Sequence, residues 1–299
     1  SRYVVDMKQC PVLPEHVSDM LVPLRELIGS LSVFQQVPQI EVAVGNDENE
    51  PVTALLLRIM APLTSEDEGK LKKFADERHV QWWLQSKGPD TISLFYPAVN
   101  TLKYVLPEFA VEMPFKPGDF TQVNPHINQV LVSRAIRMLG IERHERVADL
   151  FCGLGNFSLP IARQAREVVG IEGSKTLTQR AKEGALLNGV HEKTRFETRN
   201  LFEMTVGDWV ALGPFDRVLI DPPRDGAAAV CQTIADLGDD QDAFCPKRIV
   251  YVSCNPSTLA RDAGILVTQG RYRLAFAGVV NMFPHTSHVE SMAVFERIS

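Results

Sequence analysis

Apolar runs and helical periodicities alternate along the second part of the chain, from residue 119 to residue 299. Short β-favouring runs predict strands over residues 146–150, 168–171, 195–198, 216–220 and 249–253. Apolar residues at spacings of three and four predict helices over residues 125–139, 158–165, 174–188, 227–237 and 258–268. Because parallel neighbours need crossover connections, the alternation predicts a doubly wound, Rossmann-like α/β sheet. Two last strands, over residues 273–282 and 291–297, lack an intervening helix and are expected to pair antiparallel at one edge.

The first 118 residues show no such alternation. Helices are predicted over residues 17–31 and 63–78, the second capped near Thr64 or Ser65. Short strands are predicted over residues 40–44, 52–60, 81–84, 93–96, 103–106 and 110–113. We therefore expect a smaller α+β domain over residues 1–118 and a second domain over residues 119–299. The boundary is indicated by Pro114, Pro117 and Gly118.

Composition limits the kind of protein that this chain can be. It has 299 residues, 45% hydrophobic and 23% charged, with no apolar run long enough to span a bilayer and no secretory signal. Its five scattered cysteines do not suggest a disulfide framework and fit a reducing compartment. We expect a cytoplasmic protein without a membrane or obligate protein partner. The net charge of −6 means that a nucleic-acid partner requires a local basic face or a basic segment elsewhere.

The segment over residues 249–258 places a cysteine where a strand ends and a helix begins. Four β-favouring residues lead to Cys254, Asn-Pro then stops the strand, and Ser257 or Thr258 is expected to cap the following helix. Ligands bind at this edge of open α/β sheets. Backbone N–H groups and the helix dipole there are expected to favour a thiolate at Cys254. The alternative is a free cysteine packed as a small hydrophobic residue.

A glycine-rich turn follows the first strand of the second domain, with the sequence Asp-Leu-Phe-Cys-Gly-Leu-Gly-Asn-Phe over residues 149–157. Glycines at such a turn allow a ligand to lie against the backbone, although Ser158 stands where a dinucleotide-binding loop has its third glycine. Glu172 ends the next strand, where a carboxylate can accept hydrogen bonds from both hydroxyls of a ribose. Together they indicate a nucleoside-cofactor site. The alternative is a tight turn beside a surface acid.

A second motif, Asp221-Pro222-Pro223-Arg224, ends the strand that is expected to neighbour the glycine-rich turn. The two prolines force an extended backbone and fix the direction in which Asp221 points. The motif is either a rigid exit from the strand or a means of presenting Asp221 to a cofactor or a base. The neighbouring cofactor turn favours the second interpretation.

These three motifs, in this order, resemble those of the RNA uridine-C5 methyltransferases, which use S-adenosylmethionine. The resemblance extends from Phe-Thr-Gln-Val-Asn-Pro at residues 120–125 to the C-terminus. It is greatest to the bacterial 23S rRNA (uracil-5-)-methyltransferases, in the branch that has an iron–sulfur cluster and an RNA-binding β-barrel. It implies a class I S-adenosylmethionine-dependent methyltransferase fold and methyl transfer to C5 of a specific uridine in 23S rRNA. The first domain would then contact RNA.

The resemblance also implies roles for individual residues. Uracil C5 is a poor nucleophile, so a thiolate, here Cys254, adds to C6, and a separate base later removes the C5 proton. The base of the family pattern matches Glu290, which would otherwise be taken for an ordinary exposed glutamate, and Asp221 lies close to the target base. The family's cofactor contacts carry over to Gln122, Phe151, Asn156, Glu172, Asn200 and Asp221. The target uridine is expected to flip out of the RNA to reach the pocket.

Cys10 is a candidate ligand of a second cofactor of the family, an iron–sulfur cluster. In the rRNA branch four cysteines hold a [4Fe-4S] cluster, and Gln-Cys-Pro-Val-Leu at residues 9–13 resembles the segment that carries the fourth ligand. The other three ligands and the β-barrel would precede Ser1, so an N-terminally truncated chain is expected. One cysteine cannot hold a cluster that requires four thiolates. Cys10 is therefore predicted to be a former metal ligand, and the chain is predicted to carry no cluster.

Other chemically suggestive side chains are interpreted as structural. They are Cys152, Cys231, Cys245, Trp82, Trp83, His285 and His288. Base stacking by the tryptophans and acid–base assistance by the histidines are the alternatives. The helix over residues 63–78 has a basic side, formed by Lys70, Lys72, Lys73 and Arg78. It is interpreted as a solvated face, with a phosphate contact as the second interpretation.

Four other functions compete with methylation of rRNA uridine. Cytosine-C5 methyltransferases place their cysteine after the proline of the motif at residues 221–224, where this chain has Pro-Pro-Arg. An amino-group methyltransferase would need an aromatic residue at position 224, where Arg224 stands. A nonenzymatic RNA-binding scaffold would not need Cys254, Glu290 and Asp221 together. A tRNA uridine-C5 methyltransferase stays open as the alternative substrate class, and Cys10 favours rRNA because the tRNA-modifying relatives lack the cluster.

Overall fold

The chain divides into two compact units. The computed structural model describes residues 6–47, 50–100, 102–119, 121–122, 124–237, 239–282, 286 and 288–298. The first unit holds the described residues up to Tyr104 together with 114–121, and the second holds 105–113 and the described residues from Gln122 onward. The domain boundary at residue 118 stays a prediction, since the division by contacts lies at residue 121 and assigns 105–113 to the second unit.

The first unit is built on a mixed sheet with helices, as an α+β pattern predicts. Its strands are β1 (Gln39–Asp47), β2 (Glu50–Arg58), β3 (Val80–Gln85), β4 (Ser93–Tyr96) and β5 (Lys103–Leu106), and β6 (Val111–Pro114) follows. The sheet order is β4-β3-β2-β1-β5-β6. β1 and β2 form an antiparallel hairpin that pairs from Gln39↔Arg58 to Asp47↔Glu50, so both strands are longer than predicted at the turn. The described residues among 45–51, which separate the two predicted strands, therefore lie in β1 and β2.

The helix predicted over residues 17–31 is wrong as a single element. The chain forms α1 (Glu15–Ser18) and α2 (Leu21–Ser30) instead. Pro23 is the third residue of α2, and a proline lacks the backbone N–H and its ring clashes with the carbonyl four residues earlier. A continuous helix through residue 19 is therefore excluded, although the apolar spacing continues across the break.

The helix predicted over residues 63–78 is confirmed as α3 (Ser65–Arg78). Thr64 and Asp67 form a capping box, in which each side chain accepts a hydrogen bond from the backbone N–H of the other residue. α3 packs toward Trp82, whose indole N–H donates to the Leu71 carbonyl at 2.9 Å. Trp82 is fully buried and Trp83 is nearly so, as expected for core residues.

The second unit contains a seven-stranded sheet in the part of the chain that the structure describes. Its strands are β7 (Arg146–Leu150), β8 (Glu167–Glu172), β9 (Thr194–Thr198), β10 (Arg217–Ile220), β11 (Arg248–Ser253), β12 (Tyr272–Val280) and β13 (Glu290–Arg297). The order is β12-β13-β11-β10-β7-β8-β9. β7 to β11 are parallel to one another, and β13 pairs antiparallel with both β11 and β12. The predicted doubly wound sheet with antiparallel C-terminal strands is thus confirmed.

Helices connect these strands at the predicted places. They are α4 (Pro125–Leu139), α5 (Ser158–Ala162), α6 (Lys175–Leu187), α7 (Val206–Leu212), α8 (Ala228–Ala235) and α9 (Pro256–Thr268). α7 was not predicted from the sequence; its Thr205–Asp208 capping box is the signal that could have indicated it. The cap predicted for α9 is wrong, because the Asn255 side chain, rather than that of Ser257 or Thr258, accepts from the Ser257 N–H.

Candidate active site

Three strand ends at one edge of the second unit's sheet bring Cys254, Glu290 and Asp221 together. The last paired residues of β11 and β13 are Ser253 and Ser291, so Cys254 and Glu290 occupy the next positions on adjacent antiparallel strands. Asp221 directly follows β10, whose Ile220 lies level with Tyr251 of β11. The strand register thus brings together a thiol and two carboxyls that are distant in sequence.

The environment of Cys254 differs from the sequence-based expectation. The helix N-terminus was expected to favour the thiolate, but the pKa of the Cys254 thiol is raised. Burial is the main cause, followed by the negative charges of Glu290 and Asp221. Arg224 acts in the opposite direction, and a backbone hydrogen bond to Cys254 does so as well, but neither outweighs burial and the carboxylates.

Both carboxyls beside the thiol hold protons more strongly than usual. Glu290 is only 3% exposed, and burial raises its pKa. The pKa of Asp221 is raised well above its ordinary value by burial and by the charges of Glu290 and Asp149. A carboxyl with a raised pKa is a stronger proton acceptor than an ordinary one, as a general base requires. The exposed glutamate expected without the resemblance is therefore excluded for Glu290.

Arg224 is a site residue whose position the sequence did not predict. Its backbone carbonyl accepts hydrogen bonds from the Asn255 amide at 3.0 Å and the Thr258 hydroxyl at 3.3 Å. This fixes the Asp-Pro-Pro-Arg segment against the start of α9. The guanidinium lies 3.0 Å from Nδ1 of His288, which was interpreted as structural. His285, considered with His288, lies outside the described residues.

The glycine-rich turn after β7 has an unusual backbone. Phe151 has a φ of 63°, in the left-handed region that non-glycine residues rarely adopt. Gly153 follows with a φ of 55°, and a Cβ built on it would meet no atom within 4 Å. The turn therefore presents backbone toward open space, as a site for a closely approaching ligand requires.

The Glu172 carboxylate is held by this turn. Its Oε2 accepts from the Gly153 N–H at 3.1 Å, and its Oε1 accepts from the Ser174 N–H at 2.9 Å. Each oxygen retains a further acceptor position. Glu172 is thus oriented at the end of β8 in the way that a ribose-binding carboxylate would be.

The other predicted cofactor contacts lie at the same end of the strands or close to it in sequence. Asn156 exchanges two hydrogen bonds with Asn128 of α4, at 3.1 and 3.0 Å. Asn200 follows β9, is exposed and accepts from the Phe202 N–H at 3.1 Å. Gln122 is half-buried and belongs to the second unit. Phe120 and Val123, which the motif at residues 120–125 includes, lie outside the described residues.

Phe202 is a second residue that sequence reasoning missed. Its ring is half-exposed and lies 5.5 Å from the Phe151 ring, centroid to centroid. An exposed aromatic ring beside the cofactor turn can stack on a flat heterocycle. The available signal was an aromatic residue two positions after Asn200.

Cys10 does not have the surroundings that a cluster requires. It lies in the first unit and is half-buried, and its backbone N–H donates to the Ser18 hydroxyl at 2.9 Å. The other four cysteines belong to the second unit, where Cys152, Cys231 and Cys245 are buried. Among the described residues, no group of three or more His, Cys, Asp or Glu side chains is placed to hold a metal. The residues present thus do not fit a [4Fe-4S] cluster.

The parallel sheet, the glycine-rich turn and the acidic end of β8 define a class I methyltransferase fold of the kind that depends on S-adenosylmethionine. The chain belongs to the tRNA (uracil-5-)-methyltransferase family, whose model matches residues 108–298. Within the described residues, none of the helices is both long and apolar enough to cross a membrane.

Two relatives illustrate the similarity. The chain is 62% identical over 300 residues to the 23S rRNA (uracil(1939)-C(5))-methyltransferase RlmD of Ralstonia pickettii (strain 12J), with 99% of this chain and 66% of that protein covered. It is 60% identical over 297 residues to the RlmD of Cupriavidus pinatubonensis (strain JMP 134 / LMG 1197), with 99% and 63% covered. The predicted resemblance to the rRNA branch is confirmed. The chain spans just under two thirds of the length of these relatives.

A solved structure shows the same fold over nearly the whole chain. The tRNA (uracil-54, C5)-methyltransferase of Pyrococcus abyssi, in complex with S-adenosyl-L-homocysteine, superposes with a TM-score of 0.73. The sequences are 23% identical, and the match covers 98% of this chain and 70% of that one. At this identity the likeness concerns the fold alone.

Proposed function

We propose that the chain carries the catalytic part of a 23S rRNA uridine-C5 methyltransferase that uses S-adenosylmethionine. The observation that carries the proposal is the convergence of Cys254, Glu290 and Asp221 at the ends of β11, β13 and β10. Cytosine chemistry would need the cysteine in the Asp-Pro-Pro-Arg segment, and amino-group methylation needs no cysteine at this edge. The curated relatives favour rRNA as the substrate.

The residues around the glycine-rich turn fit S-adenosylmethionine. This cofactor supplies an electrophilic methyl group on a sulfonium. Glu172 would accept the ribose hydroxyls, because its two oxygens are already oriented by Gly153 and Ser174. Further contacts would come from Gln122, Phe151, Asn156, Asn200 and Asp221. The open space over Gly153 leaves room for a ligand against the backbone.

The Cys254 thiolate would start the reaction by adding to C6 of the uracil. The S–C6 bond forms as the electron pair of the C5–C6 double bond moves toward the C4 carbonyl oxygen, giving an enolate. C5 of this enolate would be the nucleophile that accepts the methyl group, and the bond between the methyl and the sulfonium would break to leave a neutral thioether. Asp221, whose pKa is raised by burial and by the neighbouring acids, would lie near the base, and in its protonated form it would donate a hydrogen bond to the ring.

Glu290 would complete the reaction as the general base. It removes the proton from C5, the electron pair re-forms the C5–C6 double bond, and the S–C6 bond breaks to return the Cys254 thiolate. Burial raises the pKa of Glu290, which strengthens it as a base. Its place opposite Cys254 in the strand register supports removal of a proton from the carbon next to the one that carries the sulfur.

The test is a reaction with 5-fluorouridine-substituted 23S rRNA fragments. Fluorine at C5 cannot leave as a proton, so the RNA should stay attached to the protein after methyl transfer. We expect a slower-migrating gel band that requires both S-adenosylmethionine and Cys254. Cys254→Ala should abolish the band, whereas the matched change Cys10→Ala should retain it. An unchanged band with Cys254→Ala would refute the proposal.

The alternative substrate class and the scaffold alternative can be separated in the same assay. A tRNA transcript carrying 5-fluorouridine tests the tRNA alternative, which is favoured if only that RNA is captured. A nonenzymatic scaffold would bind RNA but form no adduct with either substrate, and Cys254→Ala would leave its RNA affinity unchanged.

We also propose that the chain acts in the cytoplasm and carries no iron–sulfur cluster. This proposal rests on the chemistry of the cluster, which requires four thiolates, whereas Cys10 is the one cysteine of the first unit. An iron assay and a visible absorption spectrum of the anaerobically purified chain test this directly. Stoichiometric iron with a charge-transfer band would overturn it.

A further inference from the structure

A basic cleft lies at the edge of the second unit's sheet that is opposite to the candidate active site. One cavity of about 670 Å³ opens where β7, β8, β10 and β11 begin, and a second of about 700 Å³ shares part of its lining. We call this region the basal cleft and define it by the basic residues that line it: Arg146, Arg166, Arg195, Lys247, Arg271 and Arg297. Lys247 immediately precedes β11, whereas Cys254 immediately follows it.

The basal cleft is basic in a chain that is acidic overall. Three acidic residues line the two cavities beside the six basic ones: Glu167, Asp216 and Asp242. The whole chain has a net charge of −6. Positive charge is therefore concentrated at this edge, and a nucleic-acid partner of an acidic protein requires such a local basic face.

The ion pairs of the cleft orient its basic side chains and leave positive charge in excess. Arg146 pairs with Glu167 at 2.7 Å, and Lys247 pairs with Asp216 at 3.0 Å. Asp242 is shared between Arg297 and Arg271. Arg195 pairs with Glu197, and Lys247 also lies near Glu145. Because Glu197 and Glu145 are shared with Arg199 and Arg217, basic side chains still outnumber acidic ones in this network.

Arg146 is held in a fixed orientation. Its guanidinium lies over the Phe215 ring, 4.4 Å from the centroid, and its Nη1 donates to the Leu212 carbonyl at 2.8 Å. Gly213 has a φ of 87°, and a Cβ there would come within 3.0 Å of the same Nη1. The loop thus closes tightly against Arg146. A preorganised planar guanidinium recognises phosphate with little further loss of conformational entropy.

We propose that the basal cleft binds phosphates of the RNA substrate outside the segment that enters the active site. This inference rests on the proposed function, because it takes a large structured RNA as the substrate. The strands between the two edges have four to six residues at about 3.3 Å each. The two edges are thus roughly 13–20 Å apart. A minimal target hairpin with a stem of only a few base pairs would not extend from the active site to the cleft, whereas a longer fragment with flanking helices would.

The test compares two RNA lengths and two double variants. Arg195→Gln with Arg271→Gln removes two exposed charges of the cleft, whose side chains are 57% and 46% exposed. Arg134→Gln with Lys182→Gln is the matched control, since both residues are exposed, belong to the same unit and lie outside the cleft. KM, kcat and the salt dependence of Kd are measured with a short target hairpin and with a long 23S rRNA fragment.

We expect the cleft variant to raise KM and Kd for the long fragment about tenfold and to leave kcat unchanged. The slope of log Kd against log salt should fall by about 1.5, as for two lost phosphate contacts. The short hairpin should bind all three proteins equally, and the control variant should behave like the parent with both RNAs.

Two results would overturn the inference. One is equal affinity of the cleft variant and the control for the long fragment. The other is an equal loss with the long and the short RNA, which would indicate general electrostatics rather than a separate site. If the parent methylates neither RNA, the proposed function fails, while the Kd comparison still decides whether the cleft binds RNA. Thermal melting of each variant checks that the second unit stays folded.

Discussion

The Cys254 thiol lies among charges that change its pKa in opposite directions. Glu290 and Asp221 raise the pKa, and Arg224 lowers it. We predict that Glu290→Gln lowers the pKa of Cys254 and speeds its alkylation by iodoacetamide at pH 8 several-fold, because the thiolate is the reactive form. Arg224→Gln should slow the alkylation. Mass spectrometry of the Cys254 peptide between pH 7 and pH 10 gives both rates.

Cys10 is an internal control in this experiment. It lies in the first unit, so its alkylation rate should be the same in all three proteins. Similar rates for Cys254 in Glu290→Gln and in Arg224→Gln would show that neither charge acts on the thiol.

Asp149 is a buried acid whose ionisation opposes folding. It is fully buried, one carboxylate oxygen accepts from the Ser158 hydroxyl, and the other has no partner among the described residues. Burial raises the pKa of Asp149 from 3.8 to about 7. The folded protein thus keeps a proton that the unfolded chain releases, so the contribution of Asp149 to stability is most favourable below pH 4 and falls as the pH rises toward 7.

We predict that Asp149→Asn removes this part of the pH dependence. The free energy of unfolding of the parent, relative to that of the variant, should fall by roughly 1 kcal/mol per pH unit between pH 4 and pH 7 and level off above pH 7. Urea unfolding of both proteins at several pH values measures the difference. A constant difference would mean that Asp149 is ionised in the folded protein throughout this range.

The residue types at the site were predictable from the sequence, but their electrostatics were not. The motifs identify Cys254 and Asp221 by local sequence, and the family pattern identifies Glu290. The charges that raise the pKa of Cys254 come from strands that meet only in the folded sheet. The helix dipole near Cys254 is a local feature, and the expectation of a favoured thiolate failed because it considered this feature alone.

A buried hydrogen-bond network connects β11, the segment after Asp-Pro-Pro-Arg, and α9. Asp262 is fully buried and accepts from the Tyr251 hydroxyl at 2.6 Å, the Ala227 N–H at 2.7 Å and the Arg261 Nε at 2.8 Å. β11 leads directly to Cys254, and α9 follows it. The network therefore fixes the thiol relative to the segment that carries Asp221.

We predict that Asp262→Asn lowers the free energy of unfolding by about 3 kcal/mol, because the amide NH2 group cannot accept a hydrogen bond and buried donors of Tyr251, Ala227 or Arg261 lose their acceptor. Tyr251→Phe should lower it by only about 1 kcal/mol, since it removes one donor. Both variants should form the 5-fluorouridine adduct more slowly than the parent. Urea unfolding and adduct kinetics measure the two effects, and a loss below 1 kcal/mol for Asp262→Asn would contradict the assigned role.

Helices were predictable where the apolar spacing agreed with the residues that begin and end a helix. α4 extends from Pro125 to Leu139 as predicted, because Asn124 caps it and Gly140 ends it with a φ of 62°. Apolar spacing alone predicted one helix over residues 17–31, which is wrong because the backbone of Pro23 splits the apolar pattern into two helices. α7 is too short for periodicity to indicate, and only its capping box marks it.

At the scale of the whole molecule, the sequence did not predict how charge is distributed. The net charge of −6 and the scattered Arg and Lys residues gave no sign of a basic edge. The residues of the basal cleft come from the starts of several strands and, in the case of Arg297, from the end of the antiparallel strand β13. Only the order β12-β13-β11-β10-β7-β8-β9 brings them together. A catalytic edge and a basic edge at opposite ends of the same strands are thus properties of the topology.

The proposed cofactor site draws its residues from one unit only. Gln122, Phe151, Asn156, Glu172, Asn200 and Asp221 all belong to the second unit. In the first unit, Asp67 is buried and accepts hydrogen bonds from Ser32 and Thr64. Burial alone would raise the pKa of Asp67, but these hydrogen bonds lower it well below its usual range. Loss of this charge should therefore lower the free energy of unfolding of the first unit.

We predict that Asp67→Asn and Glu172→Gln separate stability from cofactor binding. Asp67→Asn should lower the free energy of unfolding of the first unit by about 2 kcal/mol, since charge-assisted hydrogen bonds are lost, and leave the Kd for S-adenosylhomocysteine unchanged. Glu172→Gln should raise that Kd at least about tenfold, because an amide cannot accept from Gly153, Ser174 and both ribose hydroxyls together. Calorimetric titration measures Kd, and urea unfolding measures stability. A weakened affinity in Asp67→Asn would mean that the cofactor site depends on the first unit as well.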